Sequence, residues 1–268
     1  MNPDNLRNLL YRQTIPGFIV IAHRGASFHT PENTMPAFKK AHELGADMIE
    51  LDILLTRDLV PVVFHDARLN KKTDGTGFVR DHMLKDIKGL EAGSWFHPVF
   101  AGTRIPTLEE VLQWAAGKIA LNIEIKKETV GGEDATGAAD SAVKLVREYR
   151  MENHVIFSSF SYRVIERLKR FAPEIRCGLL YTRDFRGNRN IGRFLNKYLP
   201  DTFHCHWRQL NRHLKQVLKE RNIPLFVYTV NSEENMRRTI KAGADGIFTD
   251  KPDLLRRVAI KLLAEEST

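Results

Sequence analysis

Short apolar runs recur along the chain, and sequences with helical periodicity lie between most of them. Strands that alternate with helices in this way are typical of parallel βα units. The pattern predicts eight strands, at residues 17–23, 47–53, 119–125, 154–159, 175–181, 201–207, 224–230 and 245–249. It predicts helices at residues 5–12, 35–44, 108–116, 138–149, 162–171, 210–220 and 233–242, with Thr107 and Ser232 as N-caps.

The chain of 268 residues has about the length of one (β/α)8 barrel, and it shows no internal repeat or domain linker. We therefore expect the α/β class, with residues 1–268 forming a (β/α)8 TIM barrel as a single domain. Enzymes with this fold place their active sites at the C-terminal ends of the barrel strands. Polar side chains at those ends are the first candidates for function.

A ninth apolar run, residues 61–65, follows the second strand too closely for a parallel crossover, which needs about a dozen residues. We expect it to return as an antiparallel hairpin that folds back at Arg57 and Asp58. This hairpin would set His65 roughly opposite Asp52. Residues 67–106 are then predicted to be a small insertion, which could form a cap over the barrel mouth.

Carboxylates interrupt two of the predicted strands. Glu50 and Asp52 share one face of their strand by alternation, and Glu124 shares a face with Lys126 on another. Because barrel strands are buried on both faces, an inward carboxylate is costly unless it is paired or bound to a metal. One such residue alone is best explained by solvent or a salt bridge. Three on neighbouring strands favour one divalent cation with oxygen ligands, Mg²⁺ or Ca²⁺.

Two histidines stand at the ends of apolar runs beside these carboxylates. His23 ends the first strand, and His65 ends the hairpin run. A histidine at a strand end is often structural, but two at one barrel mouth can supply a base and an acid near neutral pH. Arg24 and Lys126 would place positive charge at the same mouth, either for phosphate oxygens or for ion pairs with the carboxylates.

The net charge of +8 favours an anionic partner. No zinc-finger spacing, aromatic RNA-binding pattern or basic heptad helix is present, so a phosphate-bearing metabolite or a transient membrane-surface contact is favoured over nucleic acid. No apolar run reaches the length of a membrane helix and no signal peptide is evident, so a soluble cytoplasmic protein is expected. Cys177 and Cys205 lie in apolar runs and are predicted to be buried thiols. The oligomeric state is not indicated.

Taken together, the motifs His23-Arg24-Gly25, Glu32-Asn33-Thr34, Ile49-Glu50-Leu51-Asp52 and Val62-Val63-Phe64-His65-Asp66 resemble the glycerophosphodiester phosphodiesterase family. The resemblance implies hydrolysis of glycerophosphodiesters to glycerol 3-phosphate and an alcohol, with the glycerol hydroxyl as nucleophile. It implies catalytic roles for His23 and His65, metal ligation by Glu50, Asp52 and Glu124, and substrate or phosphate binding by Arg24, Glu32 and Tyr228. Lys126, which shares a face with Glu124, is expected from its charge to bind phosphate as well. From the residues alone, Asn33 and Thr34 are expected to cap the following helix.

Two positions depart from the family pattern. Leu59 stands where the family usually has Gly, which affects the hairpin turn, and Tyr228 stands where it usually has Trp, which affects an aromatic wall. Lysophospholipase D-like activity and a non-catalytic barrel that binds phosphodiesters or lipids remain alternatives, although the complete set of site residues argues against the second. The basic stretch at residues 183–197 is either solvated surface or part of the mouth rim.

Overall fold

The structure is a computed structural model that describes residues 9–11, 13, 15–126, 136–181 and 191–265. Its strands are β1 (Ile19–His23), β2 (Met48–Leu55), β3 (Pro61–Val63), β4 (Ala120–Ile125), β5 (Val155–Ser159), β6 (Arg176–Leu180), β7 (Thr202–His206), β8 (Leu225–Tyr228) and β9 (Gly246–Thr249). Its helices are α1 (Met35–Glu43), α2 (Leu84–Gly89), α3 (Leu108–Ala115), α4 (Thr136–Glu148), α5 (Tyr162–Phe171), α6 (Ile191–Tyr198), α7 (Arg212–Glu220), α8 (Glu233–Lys241) and α9 (Pro252–Glu265).

All strands except β3 form a closed parallel barrel. The order around it is β1, β2, β4, β5, β6, β7, β8 and β9, and pairing of β9 with β1 closes the ring. The predicted (β/α)8 TIM barrel is therefore confirmed. Thr107 and Ser232 cap their helices as predicted, since each side chain accepts a hydrogen bond from the backbone N–H three residues later.

The strand β3 is antiparallel to β2, with Val63 opposite Ile53, so the predicted hairpin is confirmed. Phe64 N–H donates to the Asp52 carbonyl over 3.0 Å, which places His65 one residue past the position opposite Asp52. In the turn, Leu59 has a φ of +63°, the left-handed region that usually favours glycine. The backbone thus keeps this turn without the family's usual Gly.

Apolar side chains fill the barrel interior below the carboxylates. They form a cluster of Leu9, Leu10, Ile19, Ile21, Met48, Ala120, Ile156, Phe226 and Phe248. Two further clusters fill the layer between the strands and the surrounding helices. Cys177 and Cys205 are buried, unpaired thiols, as predicted, and burial raises the pKa of each to about 12.

Residues 67–106 have a small apolar cluster of their own, shared with the β2–β3 hairpin through Leu54 and Val62. We infer that they are an insertion within one domain rather than a separate unit.

Three helices of the structure were not predicted from the sequence: the short helix α2 of the insertion, α6 and α9. The α9 pattern was readable, since Leu255, Val258, Ala259 and Leu262 follow helical spacing and are all buried.

Two predictions fall largely outside the described residues. Of the predicted helix at residues 5–12, only residues 9–11 are described, and they are not helical. Of the basic stretch, residues 182–190 lie outside the description, whereas Arg193 and Lys197 lie on α6. Within the described part of the chain, no helix combines the length and hydropathy that crossing a bilayer requires.

Candidate active site

The three predicted carboxylates meet at one end of the barrel. β2 and β4 are neighbours in register, so that Asp52 lies beside Glu124 and Glu50 lies one inward position earlier on β2. One oxygen from each of Glu50, Asp52 and Glu124 lies within 4.8 Å of the others, and all three side chains are buried. Alternation along two adjacent strands therefore brings this trio together.

The carboxylates differ in how the protein treats their charge. Burial raises the pKa of Glu50 well above its ordinary value, with help from Asp52 and Glu124. Burial, and then Asp52, also raise the pKa of Glu124 to about 7. For Asp52, burial works in the same direction, but Lys126 and Arg24 outweigh it and hold the pKa at about 2. A bound cation would let all three ionise.

Arg24 and Lys126 place positive charge beside the carboxylates. Lys126 Nζ lies 3.0 Å from Glu124 and 3.4 Å from Asp52. Arg24 adopts a φ of +57°, which turns its own N–H onto Glu50 at 2.8 Å, while its guanidinium lies 2.8 Å from Glu32. The ion pairs left open by the sequence are therefore formed. Strain of this kind in a non-glycine residue is concentrated at functional sites.

His23 lies at the end of β1, and its ring is hydrogen-bonded to a carboxylate that directly follows β9, the strand that pairs with β1 where the barrel closes. Its Nδ1 is 2.7 Å from Asp250 Oδ1. Asp250 also accepts from the Ser27 hydroxyl at 3.0 Å and from the Asn231 side chain. Because a carboxylate accepts hydrogen bonds, Nδ1 carries the proton of neutral His23, and Nε2 is left as the basic nitrogen.

His65 has the same kind of arrangement with its neighbour in sequence. Its Nδ1 lies 2.7 Å from Asp66 Oδ1, which again leaves Nε2 as the basic nitrogen. Burial lowers the pKa of His65, and Arg24 and Lys126 lower it further against the opposing effect of Asp52. His65 is therefore held in the neutral form more strongly than a free histidine.

The insertion contributes Lys72 to this network. Lys72 Nζ lies 2.8 Å from Glu32 and 3.4 Å from Asp66, so it joins the Arg24–Glu32 pair to the His65–Asp66 pair. Trp95 of the same insertion lies beside Lys72, with 5.9 Å between the ammonium and the ring centroid. Lys72 and Trp95 of the insertion therefore lie beside the site residues, and the cap over the mouth stays a prediction.

Asn33 was predicted to cap α1, and this is wrong. Thr34 is the cap, since its hydroxyl accepts from Ala37 N–H, whereas Asn33 Nδ2 donates to Asp52 Oδ2 over 2.9 Å. Asn33 also accepts from Asp52 N–H at 3.3 Å and has a φ of +56°. This amide fixes one Asp52 oxygen and leaves the other facing Lys126.

Tyr228 lies at the end of β8, on the other side of the mouth. Its hydroxyl donates to the Tyr181 carbonyl over 2.9 Å, and its ring contacts Phe160 edge-on at 6.2 Å between centroids. The hydroxyl is thus committed to the backbone, and the ring remains as an apolar wall.

Sequence reasoning missed Asp250, Lys72 and Asn33. Asp250 had a usable signal, because it directly follows the last barrel strand at the end where such folds place polar groups. Lys72 had none, because it lies in an irregular insertion whose path no periodicity describes. Asn33 had a competing local interpretation as a helix cap.

Comparisons with known proteins show which proteins this chain is similar to. The family model described as "Glycerophosphoryl diester phosphodiesterase family" matches residues 23–254. The chain is 42% identical over 238 residues to a glycerophosphodiester phosphodiesterase of Caldanaerobacter subterraneus, covering 88% of this chain and 96% of that protein. It is 33% identical over 251 residues to one from Bacillus subtilis, covering 90% and 86% of the two chains.

Solved structures are similar as well. A phosphodiesterase of Oleispira antarctica, in complex with the product sn-glycerol-3-phosphate, superposes with a TM-score of 0.81 at 27% identity, covering 92% of this chain and 97% of that one. A glycerophosphodiester phosphodiesterase of Agrobacterium tumefaciens has a TM-score of 0.77 at 28% identity, covering 89% and 98%. The resemblance therefore spans the whole barrel.

Proposed function

The chain belongs to the glycerophosphoryl diester phosphodiesterase family, and from that premise we propose that it hydrolyses glycerophosphodiesters to glycerol 3-phosphate and an alcohol, with one divalent cation. One observation carries the proposal: a buried carboxylate trio and two carboxylate-paired histidines meet at the same barrel mouth. A structural neighbour in complex with sn-glycerol-3-phosphate supports this substrate class.

Glu50, Asp52 and Glu124 would hold the cation. The fit is supported by the donor set, since three buried carboxylates repel one another and two of them have raised pKa values without a cation. Carboxylate oxygens suit Mg²⁺ or Ca²⁺. When bound, such an ion supplies Lewis-acid stabilisation of charge on phosphate oxygens and on an attacking hydroxyl.

The substrate phosphate would be bound by Arg24 and Lys126. Both side chains are held by the carboxylates in fixed positions, so little side-chain entropy is lost when they bind an anion. Glu32 anchors Arg24 and Lys72, and one of its oxygens can also accept from a glycerol hydroxyl. The Tyr228 ring would pack against the glycerol or the leaving group.

His65 and His23 would transfer the protons. We assign His65 as the base, because its lowered pKa keeps Nε2 unprotonated at neutral pH. His23 would then be the acid that protonates the leaving alcohol, with its ring oriented by the bond from Nδ1 to Asp250. In each histidine the bond from Nδ1 to a carboxylate fixes the ring orientation and the tautomer.

The nucleophile would be the substrate's own 2-hydroxyl, through a cyclic phosphate that water then opens. An internal hydroxyl gains from proximity, because the attack becomes effectively unimolecular. A substrate whose 2-hydroxyl is replaced by hydrogen should then bind normally but react slower by several orders of magnitude. An equal kcat for this deoxy analogue would instead indicate direct attack by water and would remove the cyclic step.

Lysophospholipase D-like activity is a second candidate, favoured by exposed apolar groups around the mouth. Phe28 is 56% exposed after β1, and Trp95 and Val99 of the insertion are 40% and 73% exposed. Such side chains can contact an acyl chain. Release of phosphate-bearing product from a panel of glycerophosphodiesters and lysophospholipids would rank the two. No release from any glycerophosphodiester would overturn the main proposal.

A further inference from the structure

A strongly basic cavity of about 700 Å³ lies on the outer surface of the barrel, between α7 and α8. Residues just after β7 and at the start of α7 line one side, and the last turn of α8 lines the other. Five of its lining side chains are cationic: Arg208, Arg212, Lys215, Arg238 and Lys241. Among the residues that the structure describes, no acidic side chain lines it. The volume is in the range of small-molecule sites, about 300–1,000 Å³.

The charge of these five side chains is not balanced locally. Among the described residues, none of the five lies within ion-pair distance of a carboxylate, whereas the neighbouring Arg237 pairs with Glu233 at 2.8 Å. Lys215 acts electrostatically to lower the pKa of Asp245, although burial raises that pKa overall. The Asp245 carboxylate is not free, because it already accepts a hydrogen bond from Leu225 N–H at 2.7 Å. The cavity therefore gathers five cationic side chains without an ion-pair partner among the described residues.

Helix ends do not explain this concentration. The C-terminus of α8 has a partial charge of about −0.5, which one cation offsets. The N-terminus of α7, at Asn211 and Arg212, adds about +0.5 to the opposite wall. The excess is thus several charges, and like charges gathered in one concave surface favour a counter-ion.

Two of the cations lie against other parts of the cavity wall. Lys215 lies across the turn at Gly243, where a Cβ atom would collide with its side chain, and Gly243 has a φ of +80°. The guanidinium of Arg208 lies over the Trp207 ring, 4.7 Å from its centroid. A guanidinium that is already packed on a ring, as in Arg208, loses less conformational entropy when it binds an anion.

We propose that this cavity binds a small anion with two or more phosphate groups. Several cations on facing walls exceed what a single phosphate can contact, and Arg and Lys are the side chains that bind phosphate oxygens most strongly. None of the residues assigned to catalysis lines the cavity. The ligand would therefore bind at the same time as the substrate.

Inorganic pyrophosphate is the probe, titrated by calorimetry into protein kept in a chelator, with inorganic phosphate as comparison. The test variant is Lys215→Gln with Arg238→Gln, which removes one cation from each wall. The matched control is Lys39→Gln with Lys85→Gln, two exposed lysines on other helices that do not line the cavity. Since Lys215 is half-buried, Arg212→Gln with Lys241→Gln provides a second test on exposed side chains.

Both cavity variants should weaken pyrophosphate binding by about tenfold or more, because each variant loses two charge-assisted contacts with the anion. The control should match the parent, and kcat on a glycerophosphodiester should not change in any variant. Parent-like affinity in both cavity variants would overturn the proposal, as would complete displacement of pyrophosphate by glycerol 3-phosphate. Vesicles of phosphatidylcholine and phosphatidylglycerol test whether the cavity instead binds the phosphate of a lipid headgroup. If the parent bound these vesicles, the cavity variants did not, and free pyrophosphate did not bind at all, the proposal of a small soluble anion would be overturned.

Discussion

His23 Nδ1 lies 2.7 Å from Asp250 Oδ1, although the two residues are 227 positions apart. The contact exists because β1 and β9 are neighbours where the barrel closes, with Ala22 paired to Thr249 one residue before each partner. The last strand of the chain therefore orients a side chain on the first. In the proposed mechanism this bond decides which nitrogen of His23 is available.

The first prediction concerns Asp250→Asn. An amide can donate to Nδ1 and so stabilise the wrong tautomer, which should lower kcat by about 100-fold or more with a melting temperature close to the parent's. The control is Asp253→Asn, which alters a comparable contact of 3.1 Å with His29 outside the carboxylate trio. Equal loss of kcat in both variants, or in neither, would show that Asp250 does not position His23.

The sequence predicted those parts of the site that periodicity describes. Glu50, Asp52 and Glu124 were found because strand alternation places them on inward faces of neighbouring strands. Asp250 and Lys72 were missed because their partners come from barrel closure and from an irregular insertion, and neither leaves a local pattern. Asn33 shows a different limit, since its residue type fits a helix cap as well as the contact with Asp52 that it makes.

The second prediction separates the two histidines. With a natural alkyl leaving group, His23→Ala and His65→Ala should each lower kcat by about 100- to 10,000-fold. With a glycerophosphodiester of p-nitrophenol, the leaving group needs no proton, so His23→Ala should regain most of its activity and His65→Ala should not. The reverse pattern would exchange the assigned roles, and near-normal kcat in both variants on both substrates would make the pair structural.

The third prediction concerns the metal. Chelation should abolish turnover, and Mg²⁺ or Ca²⁺ should restore it. Glu124→Gln should weaken cation binding measured by calorimetry, whereas the exposed Glu109→Gln should not. Because the pKa of Glu124 is raised to about 7 without the cation, binding must displace a proton, and apparent affinity should fall as pH decreases from 8 to about 6. Full activity in metal-stripped protein would contradict the assignment.

The fourth prediction concerns the turn between β2 and β3. Leu59 is 67% exposed and has a φ of +63°, so its side chain adds strain while it makes little contact. Leu59→Gly should raise the free energy of unfolding by roughly 1 kcal/mol. Ile260→Gly, at an exposed position in α9, should lower it by about as much. Chemical denaturation measures both, and a destabilised Leu59→Gly would show that the exposed leucine makes contacts worth more than the strain.

The last prediction concerns His204, a fully buried residue of β7. Its ring stacks on Phe226 with centroids 5.3 Å apart, and Nε2 lies 2.8 Å from the Thr202 hydroxyl. Burial lowers its pKa from 6.5 to about 3. Between pH 6.5 and about 3, the His204 ring is therefore protonated in the unfolded chain but neutral in the folded protein.

Because its pKa is lower in the folded state, His204 reduces the free energy of unfolding at acidic pH. Its contribution is fully present above pH 6.5 and is lost as pH falls toward 3, at about 1.4 kcal/mol per pH unit. Glu124 acts in the opposite direction between about 7 and 4.5, because its pKa is raised in the folded state. The pH dependence of the parent's free energy of unfolding therefore does not isolate the effect of His204. The test compares this pH dependence between the parent and a variant without His204.

His204→Gln removes the titrating ring but keeps a polar group near Thr202. The baseline stability of this variant will shift, so the measured quantity is the change in unfolding free energy between pH 6.5 and 4.5. The parent should lose about 2 to 3 kcal/mol more than His204→Gln over this interval, since both share every other titrating group. Equal pH dependence in the two proteins would mean that folded His204 accepts a proton near its ordinary pKa, despite its place inside the barrel.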